Sequence, residues 1–196
     1  MRASLAIVLA CGLVGTWAAP AAAVLIDFED LPADPFSLYE ESGVVFTAVG
    51  GGNLQRFPDT PNGTFSLTGA TAPYPELRAD ILAGASFVSV ELGDYAEIDA
   101  ETVFLEVFNA SGALLDSVSE DVPADRMVMT TLSLSVPGIS YAIFGARNST
   151  LDNGSSVPAD NFTFTPSATS IPVPGAIVLG LIGTGLIDQL RRREIL

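Results

Sequence analysis

The 196-residue chain has no histidine and no lysine, and its one cysteine and one tryptophan, Cys11 and Trp17, both lie close to the N-terminus. The missing imidazole excludes the general base of hydrolase triads and every histidine-ligated zinc or iron centre. Past Cys11 there is no thiol, which excludes thiolate catalysis, thiolate metal sites and disulfide staples from the rest of the chain. Stability must then come from core size or from a bound metal. The side chains left for chemistry are carboxylates, hydroxyls and guanidiniums. Between residues 24 and 170, 21 carboxylates face four arginines (Arg56, Arg78, Arg126 and Arg147), a net charge of −17. Such a field repels nucleic acid and anionic membrane surfaces, so no nucleic-acid partner is expected. It also favours solubility and draws divalent cations, although an acidic face is otherwise simply a solvated one.

Both ends of the chain carry sorting information. Arg2 precedes an apolar run from Leu5 to Trp17, followed by the small residues Ala18 to Ala23. Ala21 and Ala23 stand in the A-x-A relation that signal peptidase requires, so cleavage is expected after Ala23. The run is too short for a permanent span, which needs about twenty apolar residues. Cys11, within Val8-Leu9-Ala10-Cys11-Gly12, has too little chain before it for a lipoprotein signal and is read as part of the leader. At the other end, Ile171-Pro172-Val173-Pro174-Gly175 leads into an apolar run from Ala176 to Ile187, and Arg191-Arg192-Arg193 follows. Pro174 to Leu190 is near the lower length limit of about seventeen residues for a membrane helix. Gly180, Gly183 and Gly185 provide the small faces found in membrane helices. The arginines would remain cytoplasmic, leaving residues 24 to 170 outside.

A Pro-containing motif, an apolar helix and a terminal Arg cluster, in that order, resemble the PEP-CTERM class of sorting signals that exosortases recognise and process. The usual Pro-Glu-Pro reads Pro172-Val173-Pro174 here, followed by Gly175. The resemblance implies an exosortase-type processing enzyme as partner, acting on Pro172, Val173, Pro174 and Gly175 with Arg191, Arg192 and Arg193 as the basic stop. It further implies transient membrane anchoring through the C-terminal helix. Delivery would be to the cell surface or exopolysaccharide matrix of a Gram-negative-type bacterium. The expected division is a signal peptide (1–23), a β-sandwich (24–165), a linker with the sorting motif (166–174), a transmembrane-like helix (175–190) and a basic tail (191–196).

The body reads as all-β, because short β-branched and aromatic runs alternate with Gly, Pro, Asn and Asp clusters. Strands are expected at 24–28, 44–49, 64–68, 87–92, 102–109, 114–119, 127–136, 141–146 and 161–165. Val88, Val90 and Leu92 share one face, while 103–108 is apolar on both faces, as in a central strand. Asn109-Ala110-Ser111-Gly112 marks a hairpin turn. Nine short strands predict a two-sheet antiparallel sandwich of the jelly-roll type, with an immunoglobulin-type sandwich as the alternative. Ile26-Asp27-Phe28-Glu29-Asp30-Leu31-Pro32, Gly43-Val44-Val45-Phe46-Thr47, Phe87-Val88-Ser89-Val90 and Ala159-Asp160-Asn161-Phe162-Thr163-Phe164 are similar to exported jelly-roll domains that look like carbohydrate-binding modules.

That second resemblance implies one structural Ca2+, shared by an acidic residue after the first strand and another before the last. The matching positions are Glu29 and Asp160, with carbonyls of the 39–43 segment completing an oxygen shell. The alternative is a solvated Glu29 and a simple turn at Asp160. Sugar sites pair aromatic platforms with planar polar groups, which marks Tyr39, Phe57, Tyr74 and Tyr95, with Asn53, Gln55, Arg56 and Arg78. Most of the eleven phenylalanines and four tyrosines must nevertheless fill a core. A glycosidase would use a carboxylate pair, but Glu40, Glu41, Glu91, Asp94, Glu97, Asp99 and Glu101 have no distinguishing context, and no catalytic residue is assigned. The expectation is a non-enzymatic, exported protein with a structural or glycan-contacting role, in contact with exopolysaccharide. A carbohydrate-binding module with a defined sugar site and a secreted carboxylate-dependent hydrolase are the alternatives.

Overall fold

The computed structural model describes residues 21–58, 60, 63–71, 74–93, 101–123, 128–147 and 157–167, all within one compact unit spanning Ala21–Ser167. The sorting motif, the C-terminal apolar run, the arginine cluster and most of the signal peptide fall outside the described residues. Among the described residues there is no helix, and so none long and apolar enough to cross a membrane. Ala23, exposed, directly precedes the first strand.

Ten strands are described: β1 (Val24–Ile26), β2 (Tyr39–Glu41), β3 (Val44–Ala48), β4 (Leu54–Phe57), β5 (Ser66–Gly69), β6 (Leu77–Gly93), β7 (Glu101–Phe108), β8 (Leu114–Val122), β9 (Met129–Arg147) and β10 (Ala159–Pro166). Every pairing is antiparallel. β6 and β9 form the spine. They pair in one register from Gly93↔Met129 to Phe87↔Ser135, shift on either side of Ala85↔Ile139, and resume from Asp80↔Tyr141 to Leu77↔Phe144. Gly84 and Gly138 take positive φ (67° and 86°) at that break, a conformation that costs glycine little and lets both strands turn together.

The bend divides one hydrogen-bonded sheet into two layers of an antiparallel β-sandwich. One layer carries β1, β10 and the halves of β6 and β9 beyond the bend from Arg78, with β5 and β4 extending from β10. The other runs β2–β3–β6–β9–β7–β8 through the remaining halves. Phenylalanines lock the layers together. Phe162 of β10 meets Phe46 of β3 edge-on at 5.2 Å and Phe144 of β9 at 5.8 Å. Phe28 packs edge-on to Phe46 at 5.1 Å. Edge-to-face contacts of this kind add to the area that each ring buries. Alternation fills the rest of the core: Val88, Val90 and Leu92 on β6, and Val103, Leu105 and Val107 on β7, are fully buried.

Three features differ from the sequence-based expectation. The segments 127–136 and 141–146 form the single strand β9, because Pro137-Gly138 bends the chain without ending its pairing. The strand expected at 87–92 begins at Leu77; Arg78 and Asp80 hide its strand character because they point outward. β2 and β4 were not expected, since Tyr39-Glu40-Glu41 and Leu54-Gln55-Arg56-Phe57 are short and rich in polar residues. The hairpin at Asn109 is as expected. The Asn109 Oδ1 accepts from the Ser111 and Ala113 N–H groups (both 3.0 Å) and from the Ser111 hydroxyl (2.7 Å).

Phe162→Ala should destabilise the domain by about 3–5 kcal/mol in urea unfolding, because it empties the contact between layers. Leu25→Ala, on an exposed β1 position, should change stability by no more than ~0.5 kcal/mol.

Candidate functional site

The two outward faces of the sandwich differ in chemistry. On the first layer, cross-strand rows read Leu25–Thr163–Ser89–Ser133 and Thr165–Phe87–Ser135, mostly small hydroxyl side chains that water can satisfy. On the second, they read Glu40–Val45–Asp80–Tyr141–Phe108, Thr47–Arg78–Ile143–Glu106–Ser117, Gly145–Phe104–Ser119 and Arg147–Thr102–Asp121. Residues directly opposite in a ladder share a face, so pairing collects rings, guanidiniums and carboxylates from five strands onto one surface.

These side chains are interlocked. The Phe108 and Tyr141 rings stack at 4.8 Å and 7°, and the Arg78 guanidinium lies 3.8 Å from the Tyr141 ring centre. Asp80 holds Arg78 bidentately, accepting from Nε (2.8 Å) and Nη2 (2.6 Å). Arg147 lies 3.7 Å over Phe104 and donates to Glu106 (2.9 Å) and Glu76 (3.4 Å). The hydrogen bond that Arg78 donates to Asp80 raises its pKa against the opposing effect of burial, and the one that Arg147 donates to Glu106 does the same for Arg147. Arg147 covers Phe104 so closely that the ring, on an outer face, is only 2% exposed. The Arg78 and Arg147 side chains remain 37% and 45% exposed. Ion pairs this open contribute at most ~1 kcal/mol each. Their effect is therefore mainly to fix planar donors and acceptors in place at the surface.

Glu76 joins this face to an open cavity of about 470 Å³ lined by Val49, Gly51, Gly52, Asn53, Thr71, Tyr74, Pro75 and Glu76. Two backbone hydrogen bonds fasten its rims, Val49 N–H to the Glu76 carbonyl and Ala70 N–H to the Asn53 carbonyl (both 2.8 Å). One glycine permits the close packing: a Cβ on Gly69 would overlap the Pro75 ring. A second cavity of about 420 Å³ lies beside Glu101, Thr102, Asp121, Val122 and Pro123.

The structure brings Glu29 and Asp160 to adjacent residues. Glu29 Oε1 accepts from the Phe65 N–H (3.0 Å), and Asp160 Oδ2 accepts from the Thr64 hydroxyl (2.6 Å). Asp160 is buried, and its Oδ1 accepts from the Asn161 N–H (2.7 Å). Phe28 and Asn161, next in sequence to these two acids, both adopt positive φ (59° and 47°). That is uncommon for Asn and strained for a bulky ring. The nearby Ser66 hydroxyl is fully buried without a hydrogen-bond partner. Carboxylates, a hydroxyl and backbone carbonyls are the hard oxygen donors that Ca2+ takes, so the residues present fit this ion in kind. Among the described residues no three acidic side chains gather, so carbonyl or hydroxyl oxygens would have to complete the shell. The 39–43 segment is not the expected loop: Tyr39–Glu41 is strand β2, paired with β3.

Of the expected sugar-contact residues, Tyr74 lines the first cavity with Asn53. Tyr39 instead faces inward, 6.2–6.3 Å from the Phe28, Phe36 and Phe46 rings, and its hydroxyl donates to Glu41 (2.6 Å). Phe57 ends β4 and is half-buried, Arg56 lies over Phe65, and Tyr95 falls outside the described residues. Arg78 is on a strand rather than in a loop. Phe104, Phe108, Tyr141 and Arg147 were not expected to form a site. Their only sequence signal was the apolar character of both faces of 103–108.

No family model matches the chain, and no curated protein matches it. Solved structures align with it. A DUF4465 family protein from Bacteroides caccae aligns with a TM-score of 0.50 at 11% identity, over 74% of this chain and 100% of its own. A cleaved adhesin domain of Lys-gingipain, from Porphyromonas gingivalis, aligns at 0.49 and 13%, over 74% and 99%. The tandem CBM22 domains of Paenibacillus barcinonensis Xyn10C align at 0.45 and 16%, over 79% of this chain and 49% of that one, so the chain spans about half of the tandem. At these identities the likeness concerns fold alone.

Burial, then the hydrogen bond to Glu41, raises the Tyr39 pKa well above the ordinary 10.0. A raised folded-state value means the contribution to stability is complete below pH 10 and lost as pH climbs toward the folded value. In an alkaline absorbance titration one tyrosine should ionise late, and Tyr39→Phe should remove that phase.

Proposed function

We propose that this chain is an exported, non-enzymatic protein that contacts glycan at the cell surface or in the extracellular matrix through the outer face of the β2–β3–β6–β9–β7–β8 layer. The observation that carries this reading is the pair of ring-backed guanidiniums, Arg78 on Tyr141 and Arg147 on Phe104, each fixed by carboxylates on an otherwise solvent-facing sheet. Sugar hydroxyls bind best to planar groups whose positions are already set, because little ordering entropy remains to be lost. The adjoining cavity adds Tyr74 and Asn53, an aromatic and an amide suited to the same ligand. The strand order and the bent β6–β9 spine support a jelly-roll assignment of the sandwich. Export rests on Ala21 and Ala23. Sorting rests on Pro172, Val173, Pro174 and Gly175 with the terminal arginines, processed by an exosortase-type enzyme.

The secreted protein should be retained in affinity electrophoresis by at least one polysaccharide, with the producing cell's own polymer included. Arg147→Ala and Tyr141→Ala should each weaken retention by about tenfold, the loss of one well-fixed contact of ~1.4 kcal/mol. Absence of retention on every polymer would refute the reading. Intact-mass analysis of the same material should show loss of residues 1–23 and of the segment after the sorting motif.

For Ca2+, Glu29 and Asp160 would be the anionic ligands, with the ion tying the end of β1 to the start of β10. Chelator should lower the melting temperature of the wild type, and Asp160→Ala should abolish that sensitivity. A wild type indifferent to chelator would rule the ion out.

A further inference from the structure

We propose that the glycan face selects uncharged polysaccharide, and that Asp80 enforces the selection by occupying Arg78. The inference rests on the glycan reading and specifies its ligand. An acidic glycan is recognised chiefly by guanidiniums, which meet carboxylate or sulfate in a bidentate fork. The face has two, and both are already engaged by carboxylates, Arg78 through one bidentate edge and Arg147 through two single contacts. Asp80 engages Nε and Nη2 of Arg78 (2.8 and 2.6 Å), while Glu106 and Glu76 divide Arg147 (2.9 and 3.4 Å). One π-face of each guanidinium is covered as well, by Tyr141 and by Phe104.

The remaining charge opposes an anion. Register puts Glu40 and Asp121 on the same outward face, so five carboxylates surround two guanidiniums. They lie in a body whose net charge from 24 to 170 is −17. A uronate brings only acceptor oxygens to a surface already rich in acceptors, within the ~8 Å over which charges act at physiological salt. A neutral sugar brings hydroxyls, which donate to Asp80, Glu106 and Glu76. They also accept from the guanidinium N–H groups that the ion pairs leave over. The face is thus complementary to hydroxyl groups and repels carboxylates.

The test compares neutral probes (a glucan, a galactomannan and a xylan) with polygalacturonate and alginate, each against the secreted protein at low and high salt. Asp80→Asn and Glu106→Gln are included, and their melting temperatures establish folding. Expected for the wild type is binding of a neutral probe with little salt dependence and no binding of either polyuronate. Asp80→Asn, by freeing the Arg78 fork, should gain at least tenfold in polyuronate binding at low salt, and the gain should vanish at high salt. Glu106→Gln should act in the same direction through Arg147, which keeps the test decisive if one variant fails to fold. Polyuronate binding by the wild type equal to or stronger than neutral binding overturns the selectivity while leaving glycan contact standing. Continued exclusion of polyuronate by the folded variants overturns the role given to Asp80 and Glu106. Binding of no probe defeats the glycan reading and this inference together.

Discussion

The continuous ladder between β6 and β9 is the constraint on which the rest of the molecule depends. Both strands pass through both layers, so their register on either side of the bend fixes the inner and outer rows of each. A one-residue slip would turn Val88, Val90 and Leu92 outward on one layer and would place Arg78 and Asp80 in the core of the other. The bend at Gly84 and Gly138 adds a second condition, since both strands must turn at the same level for the layers to face each other. Phe162 then closes the space between them, touching Phe46 and Phe144 across the core. With no disulfide available, this shared spine and its aromatic filling do the work of cross-links.

The same ladder assembles the outer face. Arg78 and Asp80 come from β6, Tyr141 and Arg147 from β9, and Phe104, Glu106 and Phe108 from β7. Along each strand they alternate with fully buried residues, so the requirement for a core on one side fixes what appears on the other. The two outward faces nevertheless diverge. One displays mostly Ser and Thr, with Leu25, Phe87 and Glu91 among them. The other displays rings shielded by guanidiniums, with each cation tied to an acid. Open ion pairs add little stability, so the arrangement serves chiefly to hold planar groups in fixed positions on the surface. Gly69 extends the arrangement by allowing Pro75 to pack close beside the cavity that Tyr74 and Asn53 line at the margin of the face.

Much of the fold was legible from local pattern. Alternation in 87–92 and 103–108 and the Asn109 hairpin report contacts along or near the chain, and each matches the structure. The strand boundaries that failed did so where side-chain polarity belongs to an outward face, as at Arg78 and Asp80, or where a Pro-Gly pair bends a strand without ending it. The candidate aromatics were chosen for nearby loop residues, and this is where the reading was weakest. Tyr39 packs among phenylalanines, while Tyr141 and Phe108 stack with each other although they lie far apart in the chain. Glu29 and Asp160 do reach neighbouring residues, Phe65 and Thr64, because β1 pairs with β10 and β5 joins the other end of β10.

By itself the sequence determined the all-β class and the acidic character of the body. It also excluded imidazole and thiol chemistry, since these follow from which side chains are present and from their period along the chain. Tertiary structure alone decided which of those side chains meet. Cross-strand register is set by the whole core at once, so the joining of Arg78 to Tyr141, of Arg147 to Phe104 and Glu106, and of Asp160 to Thr64 has no local signature. A surface rich in acid could have been merely solvated. Pairing two of its few arginines over rings, and spending their forks on neighbouring carboxylates, is what gives one face of this sandwich a specific chemistry.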